Sequence, residues 1–301
     1  MKRAVVAAIL ALMTACAPPI EAFAADTISF SDLLARERAP ADERIAYGSG
    51  PQQFGELWRP SGEGPFPVVV LIHGGCWQAN LPGTELMDYL AADLRDRGYA
   101  VWNLEYRRIG HPGGAWPGTF ADVAMGLDHL RSLAGPRALD LSRVVLVGHS
   151  AGGHLVSWGS ARTGLPKSSP LWDADPLPVS GAVSLAGIND LEAFRATGPD
   201  RCGGPQTIDD LVSAATRAGQ DVYADSSPAR LPAPSGPVVV VSGELDPIVP
   251  PAFGPPFAAR WSATEVTISG AGHFELIDPT SAAWREAIVP LIAGILNRKR
   301  P

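Results

Sequence analysis

Ser150 lies in the sequence Gly-His-Ser-Ala-Gly, which has the pattern Gly-x-Ser-x-Gly. The apolar residues 144–147 come directly before this sequence and are typical of a short buried strand. Small and helix-compatible residues follow over 151–161. A sharp turn between a strand and a helix strains the serine backbone and lifts its Oγ above the sheet edge. Gly148 and Gly152 would let the two elements approach closely there, so this context favours a nucleophile over a serine in an ordinary glycine-rich turn.

A nucleophilic serine needs an acid that orients its base, and Asp246 is the strongest candidate. It follows the apolar residues 238–242, which predict a strand. The residue would therefore lie at the C-terminal edge of the sheet, where open α/β folds bind their ligands. Glu244, Asp225 and Asp190 are the rival carboxylates. An Asp-Pro turn is the structural alternative for Asp246, but the order Ser, Asp, His along the chain favours the catalytic role.

His273 is the candidate base. It lies in the glycine-rich sequence Gly-Ala-Gly-His-Phe, directly after the last predicted strand, 265–268. Its imidazole could take the proton of Ser150 and return it to the leaving group. Asp246 would then fix the tautomer of the ring and stabilise its charged form. The other histidines occupy less suitable positions: His111, His129 and His154 lie elsewhere, and His149 flanks the nucleophile as a structural neighbour.

A turn at the end of another buried strand supplies the fourth element of the predicted site. His73, Gly74, Gly75 and Cys76 follow an apolar run and can bring backbone N–H groups close to a bound carbonyl. We predict that the amide of Gly75 or Cys76, together with that of Ala151, forms an oxyanion hole. His73 would orient the turn, and Cys76 would act through its amide rather than its thiol.

Apolar and amphipathic segments alternate along the chain, which predicts an α/β fold with right-handed crossovers and a mostly parallel sheet covered by helices on both faces. Residues 25–50 look like a polar, irregular lead-in. The predicted strands are 54–59, 67–73, 99–106, 144–147, 179–185, 238–242 and 265–268. The predicted helices are 31–38, 85–97, 119–133, 151–161, 208–218 and 282–296.

The alternation stops over residues 187–236, which are rich in Gly, Pro and Asp. A connection of this length between two core strands is unusual, so we predict a cap or lid over the site, with a simple surface loop as the alternative. Trp77, Trp116 and Trp172 could line an aromatic pocket or pack in the core. Cys76 and Cys202 could form a disulfide, but two unpaired thiols explain the sequence equally well.

The 301 residues, of which 46% are hydrophobic, are enough for one large domain, predicted over 25–301. A formal charge of −7 gives no electrostatic support for nucleic-acid binding.

Residues 1–24 predict an export signal, with a basic start, an apolar run and Ala-Phe-Ala before the cleavage point. The segment ending at Cys16 resembles a lipobox, in which case that cysteine would carry a lipid anchor. We therefore expect a periplasmic or secreted protein, and leave open which signal operates.

Four segments together resemble the α/β-hydrolase fold family, over roughly residues 50–297. They are His-Gly-Gly-Cys-Trp, Gly-His-Ser-Ala-Gly-Gly, Glu-Leu-Asp-Pro-Ile-Val-Pro and Gly-Ala-Gly-His-Phe. Their order matches the family and is much more specific than one motif alone. They most resemble the esterase branch that includes acetyl esterases, feruloyl-type esterases and kynurenine formamidases. Cys76 departs from the glycine of lipase-like relatives and is nearer the formamidase-type pattern.

The resemblance implies a serine carboxylesterase that cleaves small carboxylic esters through an acyl-enzyme, and the predicted N-terminal signal implies that it is exported. An arylformamidase is the nearest alternative, because the same groups would cleave an N-formyl amide. A non-catalytic binding protein on this fold is an alternative of another class. No cluster of His, Cys and Asp has metal-ligand spacing, so we expect neither a metal nor another cofactor, and a small ester as the binding partner.

Overall fold

A computed structural model describes residues 27–298. Its strands are β1 Glu43–Ala46, β2 Phe54–Trp58, β3 Phe66–Ile72, β4 Ala100–Leu104, β5 Leu139–His149, β6 Gly181–Leu185, β7 Val238–Gly243 and β8 Thr264–Ile268. They form one sheet of eight strands in the order β1-β2-β4-β3-β5-β6-β7-β8. The strands β1, β2 and β4 pair antiparallel, and all other neighbours pair parallel. The predicted α/β fold with a mostly parallel sheet is therefore confirmed.

The helices are α1 Phe30–Leu34, α2 Asp88–Asp96, α3 Gly118–Asp128, α4 Leu130–Arg137, α5 Ala151–Ser160, α6 Leu191–Thr197, α7 Gly204–Leu211, α8 Gly254–Trp261 and α9 Val289–Leu296. Both α5 and α9 pack against β5 and β6. Every residue of β6 is buried, which requires cover on both faces of the sheet because successive side chains point to opposite faces. Within residues 27–298, no helix is long and apolar enough to cross a membrane.

Several elements differ from the sequence predictions. The lead-in 25–50 contains β1, which pairs antiparallel with β2 at the edge of the sheet. The predicted helix 119–133 is divided into α3 and α4 at His129. The predicted helix 208–218 is wrong, since α7 begins at Gly204 and ends at Leu211. Proline near its start is favourable, because the first N–H groups of a helix have no partner within it.

The insertion 187–236 carries α6 and α7, which pack against each other. Asp190 caps α6 by accepting a hydrogen bond from the amide of Ala193. Arg195 of α6 forms two hydrogen bonds with the carboxylate of Asp209 on α7, at 2.6 and 2.8 Å. The insertion is thus an ordered structure with its own side-chain contacts. The export signal predicted over 1–24, including Cys16, lies outside the described residues.

Candidate active site

Ser150 occupies the turn between β5 and α5, with φ 55° and ψ −117°. Positive φ is costly for a residue with a side chain, and the neighbouring structure holds it there. The amide of Ser150 donates to the carbonyl of Leu185 at 2.8 Å. A Cβ on Gly152 would overlap the carbonyl oxygen of Ile72, and one on Gly148 would overlap that of Gly152. Glycine at these two positions therefore allows the strained turn that the sequence predicted.

His273 and Asp246 form a buried pair. The imidazole Nδ1 lies 2.6 Å from Oδ2 of the carboxylate, and both side chains are almost fully inaccessible. The other oxygen, Oδ1, accepts hydrogen bonds from the amides of Ile248 and Val249 at 2.8 and 2.9 Å. Because the carboxylate accepts from Nδ1–H, the neutral ring of His273 presents a free electron pair at Nε2. This is the tautomer that a general base for a serine requires.

The rival carboxylates have other contacts. Glu244 is exposed and accepts from the hydroxyl of Ser269 and the amide of Gly270. Asp225 pairs with Arg217 at 2.9 Å. Asp190 caps α6, as described above. Of the four candidate carboxylates, Asp246 is the one that contacts His273.

His149 supports the loop that carries His273. Its Nε2 lies 3.0 Å from the carbonyl oxygen of His273 and donates to it, and the two rings are 4.4 Å apart between centroids. Burial, as the largest cause, holds the pKa of His149 well below its usual value. The neutral ring therefore acts as a donor to the loop that carries His273.

The predicted oxyanion turn approaches Ser150 closely. A Cβ on Gly74 would lie 3.0 Å from the carbonyl oxygen of His149 and 3.1 Å from Cβ of Ser150. Gly75 and Cys76 have φ of 94° and 49°. Within the described part of the chain, the amides of Cys76 and Ala151 donate no backbone hydrogen bond. The turn thus lies against Ser150, and the oxyanion role of these amides stays a prediction.

A buried cluster of charged and polar side chains contacts this turn. The sequence did not indicate this cluster. Nε2 of His73 lies 3.0 Å from Oε1 of Glu105, and Nδ1 lies 2.8 Å from the carbonyl oxygen of Gly74. The hydroxyl of Tyr106 donates to the carbonyl of His73 at 2.9 Å. Burial would raise the pKa of Glu105, but the charges of His73 and Arg108 outweigh it and hold that pKa below its usual value. These contacts fix the position of the His73 ring, and its role in orienting the turn stays a prediction.

A disulfide joins Cys76 to Cys202, with 5.4 Å between the Cα atoms. It links the oxyanion turn to the insertion 187–236. A second contact lies beside it, since Nε2 of Gln78 donates to Oγ1 of Thr207 at 3.2 Å. The sequence left this pairing open, because 126 positions separate the two cysteines.

Ser150 opens into a cavity of about 230 Å³. Its walls are mainly apolar and are formed by Phe30, Gly75, Cys76, Leu81, Leu86, His149, Ser150, Arg201, Ile248, His273 and Phe274. The structure thus brings Ser150, His273, Gly75 and Cys76 to one place, with Asp246 directly behind His273. Across residues 27–298, no group of three His, Cys, Asp or Glu side chains is placed to hold a metal ion.

Phe30 and Phe274 are the aromatic side chains of the cavity, and neither was singled out from the sequence. The amide of Ile28 donates to Glu275, which fixes the start of α1 beside the His273 loop. The rings of Phe30 and Phe274 are consequently 5.7 Å apart. The three tryptophans considered for this role lie elsewhere: Trp77 in the core, Trp116 beneath Arg217, and Trp172 on the surface.

The strand order, the strained serine and the buried His-Asp pair define an α/β-hydrolase fold. Residues 57–260 match the BD-FAE family, and the chain belongs to that family. Esterase LipC of Mycobacterium tuberculosis is 27% identical over 277 residues, covering 85% of this chain and 66% of LipC. The probable carboxylic ester hydrolase LipM of the same organism is 28% identical over 218 residues, covering 69% and 49%. The chain thus spans between about half and two thirds of the length of these relatives.

Solved structures share the fold. A truncated carbohydrate esterase from gut microbiota superposes with a TM-score of 0.71 at 18% identity, covering 87% of this chain and 98% of that one. A bacterial heroin esterase superposes with a TM-score of 0.67 at 23% identity, covering 90% and 89%. At these identities the likeness shows the architecture alone.

Proposed function

We propose that the protein is a serine hydrolase that cleaves small carboxylic esters through an acyl-enzyme on Ser150. The observation that carries this proposal is the shared cavity of Ser150 and His273, with His273 held by Asp246 at 2.6 Å. The names of the relatives LipC and LipM, an esterase and a probable carboxylic ester hydrolase, support the same class of reaction.

In the first half of the reaction, Oγ of Ser150 attacks the ester carbonyl while Nε2 of His273 takes the hydroxyl proton. His273 then donates that proton to the departing alcohol, which leaves the acyl group on the serine. In the second half, His273 takes a proton from water, and the resulting hydroxide attacks the acyl-enzyme. The acid is released and Ser150 regains its proton from His273.

The negative charge that develops on the carbonyl oxygen would be stabilised by the backbone amides at Ala151 and at Gly75 or Cys76. One such donor typically contributes about 2.7–4 kcal/mol to transition-state stabilisation. Gly75 and Cys76, which both have positive φ, line the cavity beside Ser150, and this supports the proposal. The contact between His73 and Glu105 supports the proposed oxyanion hole, because it fixes His73 at the start of the turn that carries Gly75 and Cys76.

The cavity supports small substrates. A volume of about 230 Å³ lies below the roughly 300–1,000 Å³ of drug-sized ligand pockets. Phe30 and Phe274 offer apolar contact to a short acyl chain or a small ring.

The substrate class is tested by hydrolysis of p-nitrophenyl esters from acetate to octanoate, with N-formylkynurenine measured alongside, for the wild type and Ser150→Ala. We expect a preference for short esters and loss of turnover in Ser150→Ala. A dominant rate on the formamide would replace the proposal with an arylformamidase. Absence of any Ser150-dependent turnover would overturn it in favour of a binding protein on this fold.

We also infer that the protein acts outside the cytoplasm. The Cys76–Cys202 disulfide supports this proposal, because disulfides persist mainly in oxidising compartments. Fractionation of cells expressing the full chain tests it, with Cys16→Ser as the variant that separates lipid anchoring from cleavage after Ala24. Recovery of the wild type in the cytoplasmic fraction, with both cysteines reduced, would contradict export.

A further inference from the structure

Arg201 is the one permanently charged side chain in the wall of the cavity that holds Ser150. It is exposed at the edge of the site, beside walls that are otherwise mainly apolar. Within the described residues, its guanidinium has no hydrogen bond and no ion pair with another side chain. A cation in this position is available to a bound molecule.

The other arginines of the insertion 187–236 behave differently. Arg195 pairs with Asp209 at 2.6 Å, Arg217 with Asp225 at 2.9 Å, and Arg230 with Glu192 and Asp221 at 3.0 and 2.7 Å. Each of these three arginines, which lie outside the cavity, is therefore paired with a carboxylate. Arg201 is therefore distinguished from its neighbours by both its location and its lack of a partner.

The backbone that carries Arg201 is anchored next to the proposed oxyanion hole. Arg201 lies in a short 3₁₀ helix, Asp200–Cys202, and the next residue is bonded covalently to Cys76. The amide of Gly203 donates to the carbonyl of Asp200 at 2.9 Å and closes this turn. The disulfide thus limits how far Arg201 can move from Ser150, although the side chain itself is solvated.

We propose that Arg201 binds a carboxylate on the substrate, so that the preferred esters carry a free carboxylate in addition to the bond that is cleaved. The planar guanidinium donates two parallel hydrogen bonds to a carboxylate, which is the group that matches it in shape and charge. This proposal rests on the ester hydrolysis proposed above. Since the protein carries a formal charge of −7, a local cation is also needed to offset the long-range repulsion of an anionic substrate.

The test compares substrates that differ by one charge at nearly constant shape. On the acyl side, mono-p-nitrophenyl adipate is compared with the p-nitrophenyl ester of adipic acid monoamide. On the alcohol side, 4-acetoxybenzoate is compared with 4-acetoxybenzamide. The readout is the ratio of kcat/KM for the carboxylate to that for the amide, which cancels changes in folding or chemistry that affect both substrates equally.

For the wild type we expect a ratio of about three to ten in at least one pair of substrates. The difference should lie mainly in KM, because a solvated ion pair contributes to substrate binding rather than to the chemical step. Arg201→Gln should bring that ratio close to one or below, Arg201→Lys should retain part of it, and Arg201→Glu should invert it. Arg260→Gln is the matched control, because it removes another exposed positive charge, on α8 and outside the cavity, and should keep the wild-type ratio.

Two kinds of failure are distinguishable. If the wild type hydrolyses the neutral amides in a Ser150-dependent way but neither ratio responds to Arg201→Gln, the role of Arg201 is wrong and ester hydrolysis stands. An equal fall of the ratio in Arg260→Gln would also overturn it, because net charge would then explain the preference. If no ester is turned over, both proposals fail together.

Discussion

Nδ1 of His273 lies 2.6 Å from Oδ2 of Asp246, although 27 positions separate the two residues. Two backbone amides, of Ile248 and Val249, occupy the other carboxylate oxygen. Only one orientation of the carboxylate satisfies all three donors. The pair is therefore arranged before a substrate arrives, and it sets the tautomer that the proposed role of His273 requires.

Asp246→Asn should lower kcat for a short p-nitrophenyl ester by about 10³–10⁴-fold while changing KM little. An asparagine whose oxygen still accepts from Ile248 and Val249 would turn its NH₂ group towards Nδ1 of His273. That contact favours the tautomer with the proton on Nε2, which cannot accept the proton of Ser150. Steady-state kinetics give the result, with the exposed Glu244→Gln as the control expected to resemble the wild type. A mutant that kept more than about a tenth of the wild-type kcat would exclude Asp246 from the proposed triad.

Gly152→Ala should disrupt the turn at Ser150, because its Cβ would overlap the carbonyl oxygen of Ile72 and lie 2.6 Å from that of His73. Backbone atoms cannot move aside as a flexible side chain does, so we expect at least about 2 kcal/mol of lost stability and a strongly reduced kcat. The control is Gly294→Ala in α9, where no atom lies within 4 Å of the added methyl group. Helix propensity predicts a gain of roughly 0.5–1 kcal/mol for the control. Equal unfolding free energies of the two variants would argue against the close approach seen here.

Removal of the disulfide with Cys76→Ser and Cys202→Ser should lower the free energy of unfolding by about 2–5 kcal/mol. The bond closes a loop of 126 positions, so its loss frees a large part of the unfolded chain. We also expect a lower kcat, since the proposed oxyanion turn loses its covalent attachment to the insertion. Urea unfolding and ester hydrolysis measure the two effects, and the wild type treated with a reductant should behave like the double mutant. Unchanged stability would mean that the noncovalent contacts around Gln78 hold the turn by themselves.

The stability of the protein should decrease from pH 5 to pH 8 partly because of Asp88. Burial, with a further contribution from Glu56, raises the pKa of Asp88 to about 7; Glu85 acts in the same direction, and Arg38 and Asn103 oppose it. The unfolded chain has its ordinary pKa of about 3.9. The folded state therefore retains a proton that the unfolded state releases, and stability falls as the pH rises through this interval.

Asp88→Asn should remove this part of the pH dependence and be more stable than the wild type at pH 8 by at least about 1 kcal/mol. The amide oxygen can still accept from Asn103, which contacts the carboxylate at 3.1 Å. Urea unfolding at pH 5 and pH 8 gives the difference, with the exposed Asp96→Asn on the same helix as the control. If the free energy of unfolding changed equally between pH 5 and pH 8 in the wild type and in Asp88→Asn, the carboxylate of Asp88 would be charged over that whole pH range.

The sequence predicted those parts of the site that depend on patterns of neighbouring residues along the chain. Ser150 lies between an apolar run and a helix, and His273 and Asp246 each follow a predicted strand. Parallel strands place their carboxyl ends at one edge of a sheet, so the order of strands was enough to bring these three residues together. The contact of His149 with the His273 loop follows from the same arrangement.

The parts that could not be predicted depend on distances between remote segments. The wall formed by Phe30 and Arg201 combines the start of the described chain with the insertion, and no periodicity connects them. The strand β1, Glu-Arg-Ile-Ala, has neither an apolar run nor an alternation of apolar and polar residues, since none of its four residues is fully buried at the sheet edge. Its pairing with β2 defines it. Likewise, Glu105 resembles any strand-end carboxylate until the structure places it 3.0 Å from His73.

The central claim is that Ser150 is the nucleophile, and covalent labelling tests it most directly. The protein is incubated with diethyl p-nitrophenyl phosphate, digested and analysed by peptide mass spectrometry, while residual ester hydrolysis is followed in parallel. We predict one diethylphosphoryl group on Ser150, loss of activity in proportion to labelling, and no labelling of Ser150→Ala. The control Ser235→Ala, which removes an exposed serine outside the cavity, should be labelled and inactivated like the wild type. Labelling of another residue together with retained activity in Ser150→Ala would contradict the account.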